Sequence, residues 1–92
     1  MDNKSRYIEL NGEYDLADRE KLATLFGALP ADGPATIDLT KVTYLDSTVL
    51  NALAKLRVRF KENTVKLLVG SENIKRILRI VQFDNLFEVV EM

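Results

Sequence analysis

The chain has no cysteine, no histidine and no tryptophan among its 92 residues. Without cysteine there are no disulfides, no thiol nucleophile and no thiolate ligands. Without histidine there is no imidazole base and no ordinary zinc cluster. Neither sign of charge dominates, since 14 acidic and 13 basic side chains leave a net charge of -1. A protein that holds the nucleic-acid backbone regardless of sequence carries a basic excess, so no nucleic-acid partner is expected. No apolar run approaches the roughly 20 residues that cross a bilayer, so no membrane insertion is expected. The start, Met1-Asp2-Asn3-Lys4-Ser5-Arg6, has no apolar stretch behind it, so no secretory signal is expected. A cytoplasmic, reducing setting suits such a chain. The glycines form no G-x-G-x-x-G and no P-loop, and the acids show no calcium-loop spacing, so neither cofactor nor metal is expected.

What remains is ordinary soluble material, 47% apolar and 29% charged. Its length suits one domain over residues 1–92, with Met1 to Ser5 expected to be mobile. A core of this size leaves little material for a deep cleft, which favours a binding or regulatory module over a stand-alone enzyme.

Apolar periodicity divides the chain. Arg6 to Leu10 alternates weakly and stops at Asn11-Gly12, a strand and a turn, with Glu13-Tyr14 extending the pairing. Asp15 is placed to cap a helix over Leu16 to Ala28, whose stripe is Leu22, Leu25, Phe26 and Leu29. Pro30-Ala31-Asp32-Gly33-Pro34 breaks it. Ala35 to Leu39 reads as a strand with Ile37 and Leu39 on one face and Thr36 and Asp38 on the other. Asp46, Ser47 and Thr48 are all capping types. They precede a helix from about Thr48 to Lys61 with a stripe of Val49, Leu53, Leu56 and Phe60. Val65 to Val69 is a strand, Ser71 a cap, Glu72 to Val81 a helix, and Phe87 to Val90 a last strand. Strands alternating with helices predict an α/β domain, a mostly parallel or mixed sheet of about four strands with about three helices. Lys75, Arg76 and Arg79 with Arg57, Arg59 and Lys61 read as solvated helix faces, a basic patch being the less favoured alternative.

The segment Ile37-Asp38-Leu39-Thr40-Lys41-Val42-Thr43-Tyr44-Leu45-Asp46-Ser47-Thr48-Val49-Leu50 resembles the STAS domain, the family that includes the bacterial anti-sigma-factor antagonists. Asp46, Ser47, Thr48 and Leu50 match the family's Asp-Ser-Ser/Thr-Gly-Leu, and Val49 stands where the pattern has Gly. Gly12-Glu13-Tyr14-Asp15 is similar to the Gly-Glu-Leu-Asp turn before the first helix. The third-helix segment Ile74 to Ile80, with Phe83 to Phe87 after it, is similar to the family's helix and turn into the last strand.

The resemblance implies a regulator rather than an enzyme, with no catalytic residue. A STAS antagonist binds a kinase-like anti-sigma factor, which phosphorylates the Ser after the Asp and thereby releases it, so that transcription is regulated. Carried over, the phospho-acceptor is Ser47, with Thr48 as runner-up. Asp15, Asp46, Ser47, Thr48 and Val49 form the partner surface. An alternative is a STAS subunit of a lipid-transport or other transporter complex that docks on an ATPase subunit without phosphorylation. Two readings of Val49 stand: it fills the helix stripe, or it offers an apolar contact to a different partner. Capping alone also accounts for Asp15, Ser47 and Thr48. A small enzyme built on Asp15, Asp38 and Asp46 is the least favoured reading.

Overall fold

The computed structural model describes residues 6–92; the expectation of mobility for Met1 to Ser5 lies outside the described residues. Strand β1 (Tyr7–Gly12) leads through a 3-10 turn (Leu16–Asp18) into helix α1 (Arg19–Gly27). Then come β2 (Ala35–Val42), α2 (Ser47–Phe60), β3 (Val65–Val69), α3 (Glu72–Ile80), a second 3-10 turn (Phe83–Asn85) and β4 (Glu88–Glu91). The strands form one sheet in the order β1-β2-β3-β4, and every neighbouring pair is parallel. The architecture is the α/β arrangement that the alternation of elements predicts.

Chain-adjacent parallel strands joined by right-handed crossovers place all the helices on one face of the sheet. Leu10, Ile37, Leu39, Val65, Leu67 and Val69 supply that face, and all are buried. They share one core with Leu22 and Phe26 of α1, Leu53, Leu56 and Phe60 of α2, and Ile74 and Leu78 of α3. The other face carries the alternate residues, including Tyr7, Glu9, Thr36, Asp38, Lys66 and Glu88. Parallel sheets are usually covered on both faces and then read as continuous apolar runs. Here the second face is mainly polar, with Leu68 and Val90 as half-buried apolar members beside Asp38.

Register slips once. Glu9 sits opposite Asp38 but Asn11 sits opposite Lys41, so β2 carries one residue more than β1 between the pairs. This bulge reverses the alternation of β2. It turns Val42 into the core and Lys41 out to solvent, where Lys41 meets Glu9 at 3.2 Å. The chain thus enters the loop before α2 with an apolar anchor on the core side.

Several boundaries differ from the sequence expectation for local reasons. β1 runs on to Gly12, which supplies a positive φ of 73° where the chain leaves the sheet, and Glu13-Tyr14 lie beyond the strand. The first helix starts with a separate 3-10 turn, because Asp15 and Asp18 close a reciprocal box around it. Leu25, placed on the helix stripe by spacing, is 37% exposed at the edge of the packed face. Arg57 and Arg59 do not lie idle in solvent. Arg59 donates to the carbonyl oxygens of Phe26 (2.6 Å) and Leu29 (2.7 Å), which places a cation at the negative end of α1. Arg57 reaches the carbonyls of Lys61, Asn63 and Leu86 and ties the end of α2 to the turn before β4.

Candidate functional site

The loop at residues 43–46 lifts the chain from the carboxyl end of β2 into α2. Leu45 is buried and pins it. Asp46 is the residue that caps α2. Its Oδ1 accepts from the backbone N–H of Thr48 (2.9 Å) and Val49 (3.3 Å), two donors that have no partner inside the helix. Asp46→Ala is expected to cost about 1 kcal/mol. Thermal unfolding would register that as a melting temperature roughly 4–8 °C lower.

With Asp46 as the cap, the next three residues separate. Ser47 is the first residue of α2 and is exposed. Thr48 is 8% exposed. Val49 is 0% exposed and belongs to the core. The surface of the Asp-Ser-Thr-Val segment is therefore essentially Ser47 with the edge of Asp46. The expectation of Val49 as a partner contact does not fit this geometry, because its side chain points inward along the helix stripe. The runner-up acceptor, Thr48, is mostly covered.

The turn after β1 does come to the same place. Leu16, 70% exposed, lines a groove of about 360 Å³ together with Ser47 and Thr48. Asp15 is exposed on that turn, and its carboxylate accepts from the N–H of Ala17 at 3.0 Å. Asp18 returns the contact to the N–H of Asp15 at 2.9 Å. The groove then runs between α1 and α2, walled by Ala23 and Gly27 on one side and Ala52 and Leu56 on the other. Sequence reasoning found one end of this groove, at Ser47 and Thr48, but not the groove itself. The available signal was the small pair Ala23 and Gly27, four apart on one flank of the first helix.

Asp38 is elsewhere. It lies on the open face of the sheet, 7% exposed, and accepts from the Tyr7 hydroxyl, the Thr40 hydroxyl (2.6 Å) and the Thr40 N–H (2.9 Å). Burial pushes its carboxyl up, and the hydrogen bonds from Thr40 and Tyr7 more than reverse this, so it titrates below the usual carboxylate range. The Tyr7 phenol, donating to that carboxylate, is pushed up to about 12. Asp15, Asp38 and Asp46 each serve separate local partners, and among the described residues no group of three potential ligands is placed to hold a metal.

In this small α/β domain with one helical layer, exposed Ser47 and Leu16 meet at the capped start of α2, at one end of a groove. The family model described as "Mlab, STAS domain" matches residues 1–91. The chain belongs to this STAS-domain family. No curated protein matches it. Among the described residues no helix is long and apolar enough to cross a membrane.

Proposed function

We propose that this STAS domain is a cytoplasmic regulatory module with no catalytic activity of its own. It docks on an ATP-binding, kinase-like partner of the anti-sigma-factor type through the start of α2 and the turn after β1, and Ser47 is the phospho-acceptor that releases it. The observation that carries the reading is the separation at the helix start. Ser47 stands exposed on the surface while its neighbours Thr48 and Val49 are covered.

The charge balance favours local release over refolding. A phosphate adds roughly -1.5 to -2 charges. The helix end attracts it, but Asp46 already holds the N–H groups of Thr48 and Val49 and adds a negative charge of its own. Little net intramolecular energy is left to reorganise the fold. A partner packed dry over Ser47 must instead bury the new charge, which is costly. Ser47→Glu is therefore expected to weaken partner binding by about tenfold or more, and Ser47→Ala to preserve it.

A second reading follows from Val49 standing where the family's pattern has Gly. In it the chain is a subunit of a lipid-transport or other transporter assembly that docks constitutively on an ATPase subunit. Intact mass and peptide mapping of the protein from its own cells decide between the two. Phosphate on Ser47 supports the switch. Unmodified protein across several growth conditions, with binding retained in Ser47→Glu, overturns the switch and supports constitutive docking.

A further inference from the structure

We propose that the groove between α1 and α2 receives an acidic, amphipathic helical segment of the docking partner. This rests on the reading of the start of α2 as a docking edge, and adds the chemistry of what docks there.

The ionisable residues that line the groove are Arg19, Lys55 and Arg59, and no acidic residue lines it. In a chain with a net charge of -1, that is a local excess of one sign. Arg59 is held against the end of α1 by its bonds to Phe26 and Leu29. Arg19 and Lys55 are exposed, and among the described residues neither makes an ion pair or a side-chain hydrogen bond. Between these cations the walls are apolar and low, formed by Ala23, Gly27, Ala52 and Leu56.

Gly27 supports the same conclusion. It is helical, so no positive φ requires glycine, and a Cβ built there meets nothing within 4 Å. Neither backbone conformation nor internal packing requires glycine at this last position of α1. An approaching backbone would use the space. Helix α1 has nine residues, so the groove beside it is about 14 Å long and matches two to three turns of a partner helix. Such a helix sets apolar side chains at i, i+3, i+4 and i+7 between the walls, and its acidic flanks meet the cations. Ser47 lines one end of the groove, so a phosphate there stands against an acidic segment and repels it.

The test uses the full chain and two fluorescein-labelled helical peptides of the same leucine spacing, one with glutamate at every flanking position and one with lysine. The glutamate peptide is expected to bind about tenfold or more tightly than the lysine peptide, with amide shifts concentrated at Ala23, Gly27, Ala52 and Lys55. Arg19→Glu combined with Lys55→Glu should weaken it by about tenfold or more. Gly27→Leu should block it, with melting curves showing that both variants stay folded. Equal affinity for the two peptides, no binding of the glutamate peptide, or shifts on the open sheet face would overturn the proposal. So would binding of decanoate in the groove without binding of the peptide. The two readings fail separately. If the peptide depends on Lys55 but ignores Ser47→Glu, the groove stands and the Ser47 switch falls. If Ser47→Glu releases the natural partner while the Arg19 and Lys55 reversals do not weaken it, the groove falls and the switch stands.

Discussion

Val49→Gly, which restores the family pattern at the position after Thr48, is expected to destabilise the domain by about 3 kcal/mol. Val49 is wholly buried in the core beneath the first turn of α2. Removing a buried valine side chain forfeits roughly 2 kcal/mol of transfer and cavity energy. Glycine in a helix adds roughly 0.5–1 kcal/mol of backbone entropy. For a domain of this size the melting temperature should fall by roughly 12–24 °C. Val49→Ala, which keeps the helix propensity, should lose less. A loss below about 1 kcal/mol for Val49→Gly would contradict the packing described. Measured well below its melting temperature, the variant should retain partner affinity, because the side chain it removes is not on the surface. In this chain the position serves the core, whatever a glycine there does elsewhere in the family.

Asp38→Ala is expected to cost about 2–3 kcal/mol, although Asp38 lies on the sheet face away from the helices. Its carboxylate accepts three hydrogen bonds, and bonds to a charged acceptor contribute more than neutral ones. The variant leaves the Thr40 N–H and hydroxyl without their acceptor in a half-buried position. The exposed Tyr7 hydroxyl can turn to water, which limits the loss.

The pH dependence gives this prediction a second readout. Asp38 has its carboxyl held below the usual range, so its contribution is present above the unfolded value of about 3.9. That contribution is lost as pH falls through the lower folded value. Wild type should therefore lose stability more steeply on acidification below about pH 4 than Asp38→Ala does. Tyr7 gives the opposite limb. With its phenol raised to about 12, stability is present below the ordinary value of about 10 and is lost as pH rises from there. A phenolate absorbance titration should show one tyrosine ionising near 12 in wild type and near its ordinary value in the variant. Unchanged titration would mean that the Tyr7–Asp38 bond does not form in solution.

These residues also show what a sequence conveys here. The buried halves of the strands and helices announce themselves by period, so Ile37 and Leu39, or Leu53, Leu56 and Phe60, were legible. The caps Asp15 and Ser71 were legible because few side chains can satisfy a helix N-terminus, whereas capping by Ser47 or Thr48 gives way to Asp46, one residue earlier, with both inside α2. The bulge in β2 was not, since an extra residue leaves no mark in composition. Nor were the positions of Arg57 and Arg59. A long cation can lie in water or reach a carbonyl some 30 residues away, and only the packing of α1 against α2 decides. Ser47, Thr48 and Val49 were all candidates for the partner surface, with Ser47 ahead of Thr48 as the acceptor. Which of them faces outward depends on where the helix begins, and the Asp46 cap fixes that point.

The most direct test of the account is in-cell photo-crosslinking from single positions on the two exposed surfaces. A photoreactive side chain at Leu16 or Asn51, on the groove, is compared with one at Glu9 or Glu88, on the open sheet face. Crosslinking from the groove positions to an ATP-binding protein, and not from the sheet positions, is the predicted result. Crosslinks that form from the sheet face and are absent at Leu16 and Asn51 would contradict it.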